Sequence, residues 1–464
     1  MNTKRNGRRL LPEDMIFVPT PTKADRNEPT KQKMDAALYP TRHAPNDGRG
    51  ADWSRVELSF EFKNHTDDPF DETFPGNDPA DSEHRASNLD LILSHAKLVF
   101  DHQHRTHHFT VIIFGRMARI VRWDRAGALI TEKFDYKKEP HILGKFLFCY
   151  SRSDAVARGH DPTAVRVEPG TKEWDLMSSR AEQSLLRHSR AVEEDARIAF
   201  QHSVAQGQPR WKLAVNTEKG AMHFLVGRPD FSASVLIGRG TRGYVAIDME
   251  DPQGSLVYLK DVWRVDHERI KQEGKILAAL NEKDVLFIPH LVCHGDVPHQ
   301  VTVSNQVWLK QNSDGKRIFE NDSFEDEDGA GADDDTGADY DVSTTSGTLN
   351  VAIDEQEVHF EGSTVPIGEP LMSEDDIPLS SGDEGVPDLE LSGSSEEDLP
   401  HGTPSGRTDT DEKALYPLKA HKHYRMVVKE VAKPLSEFKN GQELVLILLH
   451  ILTGAFLCCF SDIG

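Results

Sequence analysis

The stretch Gly238-Arg239-Gly240-Thr241-Arg242-Gly243-Tyr244-Val245, with Leu256-Val257-Tyr258-Leu259-Lys260 behind it, decides how this chain is read. The first segment fits G-x-G-x-x-G-x-V, and glycines at that spacing signal tight turning or close approach of backbone to a ligand. A dinucleotide-binding fold places a helix directly after the third glycine, so that its N-terminus faces the pyrophosphate. Here Gly243 leads instead into Tyr244-Val245-Ala246-Ile247-Asp248, a β-forming run. The glycine loop therefore lies between two strands, as a hairpin lid over phosphates. Lys260 stands on the following strand, placed to reach α- and β-phosphates. A helix over residues 266–281 comes next, with Ile276, Leu277 and Leu280 spaced toward the core. That spacing lets Glu273 face Lys260 and hold it extended as an ion pair.

Working outward, the order strand, glycine loop, strand, strand, helix sits in a unit that begins near Trp211, with short strands at Lys212–Val215 and His223–Val226. Upstream, Val56, Leu58, Phe60 and Phe62 alternate with polar residues, the period of a half-buried strand. Leu89, Ile92, Ala96 and Val99 recur at helical spacing within 82–103, and strands follow at 109–114, 118–123 and 128–131. Residues 173–206 read as helical. The fold class is thus α+β, in five segments: an arm without fold (1–48), an α+β region (49–209), a small lobe of antiparallel strands plus one helix (210–312), an acidic insert (313–413), and a final segment (414–464) that opens with the strand-like run Tyr424–Val431.

The chain has 464 residues and a formal charge of −23, with 77 acidic against 54 basic side chains. That average is misleading. Residues 320–412 hold 29 Asp and Glu against a single Arg407, a net of −28, which leaves +5 on the rest. A segment so charged and so poor in aromatics cannot offset its ordering entropy, so it is expected to be disordered. The overall acidity argues against nucleic acid as a partner. Four cysteines without zinc or disulfide spacing, and no secretory leader at Met1–Leu11, fit an intracellular setting, cytoplasm or nucleus.

With these elements in hand the chain resembles the fungal-type protein kinase domain family, from about Asp52 to about Val445 apart from the acidic insert. The resemblance is carried by V-E-L-S-F-E-F-K (56–63), Q-H-R-T-H-H-F (103–109), W-D-R-A-G (123–127), A-R-G-H-D-P-T (157–163) and L-K-D-V-W-R (259–264). It implies a protein kinase fold behind a family-specific N-terminal region, ATP and Mg²⁺ as cofactors, and Ser/Thr hydroxyls as acceptors. By the same resemblance Gly238, Gly240 and Gly243 form the phosphate loop, Val245 packs on adenine, Lys260 holds phosphate with Glu273 as its partner, and Val428–Val431, with Glu430 and Val431, is the hinge. Two departures stand out. Tyr258 occupies the position of a small residue beneath adenine, and neither His-Arg-Asp nor Asp-Phe-Gly occurs anywhere in the 464 residues. The reading is therefore a kinase-like chain with most of the large lobe missing and without catalysis as it stands, its protein substrate unknown. The alternative is a non-catalytic scaffold or binding protein.

Other features compete for chemistry. His294-Gly295-Asp296 mimics the catalytic H-x-D, but lies before the hinge; Asp462-Ile463-Gly464 mimics D-x-G. Glu61 and Lys63 share one strand face as E-x-K, with Asp52 as a further carboxylate, which suggests a metal-dependent nuclease. His102, His104, His107 and His108 invite a metal reading, although structural histidines are the commoner outcome. Leu444–Phe460 is a 17-residue apolar run at the lower limit for a membrane anchor, a minor alternative to a buried helix.

Overall fold

A computed structural model describes residues 1–2, 9–20, 24–25, 29–45, 50–65, 67–70, 79–182, 191–251, 254–313, 348–351 and 418–459. In chain order the strands and α-helices are β1 (Met15–Pro19), β2 (Ala36–Pro40), β3 (Leu58–Lys63), α1 (Pro79–His102), β4 (His108–Phe114), β5 (Met117–Asp124), β6 (Gly127–Thr131), β7 (Phe134–Asp135), α2 (Pro140–Arg152), β8 (Ala164–Val167), α3 (Lys172–Glu182), α4 (Ala191–Ser203), β9 (Arg210–Thr217), β10 (Gly220–Val226), β11 (Phe231–Ser232), β12 (Arg242–Asp248), β13 (Leu256–Val265), α5 (Glu273–Glu282), β14 (Leu291–Val301), α6 (Ser304–Ser313), β15 (Thr348–Val351), β16 (His421–Val428) and α7 (Gly441–Cys459).

They form two sheets in an α+β architecture. The first runs β1-β2-β3-β4-β5-β6-β15, with β7 beside β5. Within it β3 and β4 are parallel, joined by the crossover of α1, and the other pairs are antiparallel. The second runs β14-β16-β13-β12-β10-β9-β8, with β11 beside β12. Its part β10-β12-β13-α5-β14-β16 is the small lobe expected from the sequence, an antiparallel sheet with one helix between its third and fourth strands.

Three segment boundaries need correction. Residues 1–48, expected to lack fold, supply β1 and β2, and Met34, Ala36, Ala37, Leu38 and Tyr39 are fully buried. Ala36-Ala37-Leu38-Tyr39 is apolar on both faces because Ala36 and Leu38 pack into one core cluster and Ala37 and Tyr39 into another, so it shows no alternation to detect. The boundary at 209/210 also fails: β8, within the 49–209 region, is the edge strand of the second sheet through its pairing with β9. In the 313–413 insert, Thr348–Val351 is a strand on the open edge of β6. This is an uncharged T-L-N-V run, unlike its acidic surroundings. The remainder of the insert from 314 onward, like Asp462-Ile463-Gly464, lies outside the described residues.

A buried ionic network ties β12, β13 and β16 of the second sheet to the segment that leads into β8. Asp261 on β13 accepts from Arg242 (2.6 Å), Arg425 Nε (2.9 Å) and His423 (2.5 Å), while Asp161 accepts from Arg425 (2.5 Å) and from Thr163. All of these charged groups are at most 6 % exposed. Burial alone would raise the Asp261 carboxyl, but His423, Arg425 and Arg242 hold it well below the usual range. Removing one partner from such a cluster costs about 3–5 kcal/mol, because the other charge is left buried and unpaired. The R-G-H-D-P-T and K-D-V-W-R motifs thus act as the lock between the N-terminal region and the lobe. Among the described residues no helix is long and apolar enough to cross a membrane.

Candidate nucleotide site

On β13, Tyr258, Lys260 and Val262 point to one face, and Val257, Leu259, Asp261 and Trp263 to the other. The first face meets α5. Lys260 Nζ donates to both carboxylate oxygens of Glu273, at 2.6 and 2.9 Å, at the first position of that helix. Arg239 of the glycine loop lies 4.0 Å from the same carboxylate. The pair is half-exposed, with 26 % of the Lys260 and 46 % of the Glu273 side chain accessible, so both charges are open to a ligand. Leu277 and Leu280 turn inward as the spacing predicts, whereas Ile276 is 39 % exposed.

The glycine loop is not a free lid. Gly238 N–H donates to the carbonyl of Arg125 (2.7 Å), and Arg125 Nη1 donates back to the Leu236 carbonyl (2.7 Å). The Arg125 guanidinium lies under Gly240, where a Cβ would overlap it, and over the Phe100 ring at 4.7 Å. Burial, and the nearby Arg242, pull its pKa down to about 10. Leu236 and Ile237 pack into the first sheet's core with Phe100, Trp123 and Ile130. Gly238 and Gly240 have φ of 102° and 46°, the left-handed region that glycine tolerates. The carbonyl of Arg239 then accepts from Trp263 N–H at 2.8 Å, which lays the loop along β13. Thus W-D-R-A-G of the N-terminal region is the mount of the glycine loop, a contact its sequence spacing does not reveal.

The adenine side is closed. Tyr258 donates to Asp230 (3.2 Å), and its hydroxyl fills the space that a Cβ on Gly243 would need. Val245, only 2 % exposed, is packed with Met177 of α3, Phe200 of α4 and Val204, and Val431 lies against the same cluster. Lys433 ties the segment after β16 to Asp195 of α4 at 2.8 Å. Glu430 is engaged by His290, through its backbone N–H (2.7 Å) and its ring (2.6 Å). The structure therefore brings Lys260, Glu273 and the glycine loop together, and places Val245 and Val431 under α3 and α4. A cavity of about 200 Å³ bounded by Arg239, Glu273 and Tyr424 lies beside the ion pair, smaller than the roughly 300 Å³ of small ligand sites.

An ATP would meet an accessible Lys260, but the Gly238 N–H is already taken by the Arg125 carbonyl, and no base fits beside Gly243 and Val245 while Tyr258, Phe200 and Val204 hold these positions. Among the described residues no group of three His, Cys, Asp or Glu is placed to hold a metal ion.

The other motifs are engaged internally. Asp296 is held by Arg264 in two bonds of 2.8 Å and by Gln272, and His294 lies against Gly274. Glu61, 1 % exposed, is bonded to His95 Nδ1 at 2.6 Å and lies 3.5 Å from Lys63, while Asp52 caps the turn at Trp53 through Ser54 N–H. The histidines of Q-H-R-T-H-H-F disperse: His104 meets Arg242, His107 the carbonyl of Ala157, and His108 Ser59.

Comparison with curated proteins and with solved structures gives no match. The profile of the fungal protein kinase family matches residues 76–456, which takes in the first sheet's later strands, the glycine loop, the Lys260–Glu273 pair and most of α7. On that match the chain belongs to the fungal protein kinase family.

Proposed function

We propose that this chain is a kinase-type nucleotide lobe that takes the phosphates of Mg²⁺–ATP at Lys260, Glu273 and the loop of Gly238, Gly240 and Gly243, with Val245, Glu430 and Val431 on the adenine side. The observation that carries the reading is the Lys260–Glu273 pair at 2.6 and 2.9 Å, on the third strand and the single helix of the lobe. An ion pair at this place and half-exposed is the arrangement that holds a lysine on phosphates in this class of fold. Nucleotide entry then requires α3 and α4 to leave Val245 and Val431. A Ser/Thr phosphotransfer reading follows from family membership alone, and no transfer step is assigned to residues of this chain.

The second reading is a binding protein that needs no nucleotide. It is favoured by Tyr258 beneath Gly243 and by Phe200 and Val204 against Val245. Equilibrium titration of the full chain with Mg²⁺–ATP separates the two. The nucleotide reading expects saturable binding that falls about tenfold or more, about 1.4 kcal/mol, in Lys260→Met. Absence of binding, or equal binding by Lys260→Met, selects the second.

A further inference from the structure

A cleft of about 880 Å³ opens on the opposite side of the second sheet, between the end of β2, the loop 155–162 and β8. Its walls carry Arg42, His43, Arg55, Arg158, Arg166 and Trp211. Three carboxylates also face it, Asp14, Glu57 and Asp161, but two of them are committed elsewhere. Glu57 is bonded to His160 at 2.9 Å with Arg105 at 3.6 Å, and Asp161 to Arg425. Burial works to raise the Glu57 carboxyl, yet His160 and Arg105 hold it at about 2, so it remains an anion already satisfied by its own cations.

The arginines are less well compensated. Arg55 is shared with Glu168 at 3.1 Å. Arg166 donates only to Ser54, to its carbonyl at 3.1 Å and its hydroxyl at 3.4 Å, and lies 5.4 Å from the Trp211 ring; no carboxylate pairs with it among the described residues. Arg42 makes no hydrogen bond or ion pair among the described residues and projects from the rim. Arg158 Nε is buried without a hydrogen-bond partner and lies 3.5 Å from the Glu57 carboxylate. Burial and the neighbouring Arg55 pull the Arg166 pKa down to about 10, and burial with Arg55 and Arg42 lowers that of His43. The groups thus repel one another across an open volume. Arg55 and Arg158 share their charge with Glu168 and Glu57, but Arg42 and Arg166 have no ion-paired carboxylate among the described residues, and guanidinium groups in that condition are the setting that binds phosphate in bidentate fashion. Trp211 and the half-exposed Val156 and Val165 add an apolar wall, and the volume is that of a small-ligand site.

We infer that this cleft binds a phosphate monoester carrying an organic group, with Arg42, Arg55 and Arg166 on the phosphate and Trp211 on the remainder. The site is separate from Lys260 and does not depend on the nucleotide reading. The ester has two sources, a free small phosphate ester or a phosphorylated side chain on a peptide.

The test is titration of the full chain with inorganic phosphate, glucose 6-phosphate and a phosphoserine peptide, against chloride at equal ionic strength. Each phosphate is expected to bind and to raise the melting temperature. Arg42→Glu with Arg166→Gln should weaken that binding about tenfold or more. Should the double variant fail to fold, Arg42→Glu alone, at an exposed side chain, must still weaken it. Tighter binding of the peptide assigns the phosphorylated side chain, and tighter binding of the sugar phosphate assigns the free ester. No response beyond that to chloride, or equal binding by Arg42→Glu, overturns the proposal.

Discussion

Tyr258 and Lys260 are two residues apart on one face of β13, and they pull the site in opposite directions. Lys260 presents a cation that Glu273 only partly satisfies, since 26 % of the lysine side chain remains open. Tyr258 places a ring and hydroxyl under Gly243, where a small residue would leave room for a base. Tyr258→Ala is therefore expected to raise ATP affinity about tenfold, at a stability cost of about 1 kcal/mol. Unchanged affinity by fluorescence titration would show that the tyrosine does not obstruct the base. Lys260 and Glu273 were legible from spacing alone, because the lysine sits on a strand and the glutamate falls in the next helix, although that helix begins at Glu273 and not at the expected residue 266. Asp261 was not, because an acid reads as exposed. Its signal was the period of two: it follows Val257 and Leu259 and precedes Trp263 on the buried face, so the alternation itself placed a carboxylate in the core.

The elements that were legible are those whose period or bounding turns stand out in the sequence. β3 shows alternation, α1 helical spacing, and β4, β5, β6, β10, β12 and β13 are β-forming runs between turn residues; the structure places them within a few residues of the expected bounds, although β4 and β12 are buried along nearly their whole length. The helical stretch 173–206 contains α3 and α4, with 183–190 outside the described residues, and β16 begins three residues before the expected Tyr424. β1 and β2 were missed because each is a five-residue run within an arm rich in Pro, Asn and charge, and α2 was missed although Pro140 in its first turn is a helix-start signal. The site depends on the one relation that spacing cannot show, the packing of α4 on β12. Gly227 allows it: a Cβ there would overlap the Ser203 carbonyl at the end of α4, and Arg228 N–H donates to that same carbonyl at 2.8 Å. The N-terminal region is thereby both mount and cover, holding the glycine loop through Arg125 and covering Val245 through Phe200.

Across residues 1–355 and 417–464, which form one compact unit, the buried charges make stability depend on pH. Burial lowers the pKa of His104 and His108 far below the ordinary value and that of His107 to about 3. These rings stay neutral in the folded chain but protonate in the unfolded one below about pH 6.5. The unfolded state then binds more protons, so stability falls as pH drops from 7 toward 4. Below about pH 4.3 Glu57, held at about 2, adds to the loss with the same sign, since its contribution is present above its unfolded pKa. Urea unfolding followed by circular dichroism should show this decline; a midpoint constant between pH 7 and 4.5 would contradict it.

The central claim is that nucleotide phosphates bind at Lys260 beneath the glycine loop once α3 and α4 give way. Hydrogen–deuterium exchange of the full chain with and without Mg²⁺–ATP tests it most directly. The account predicts slower exchange over 238–245 and 256–265 together with faster exchange in α3 and α4. Unchanged exchange in the glycine loop, or protection of α4 along with it, would contradict the claim.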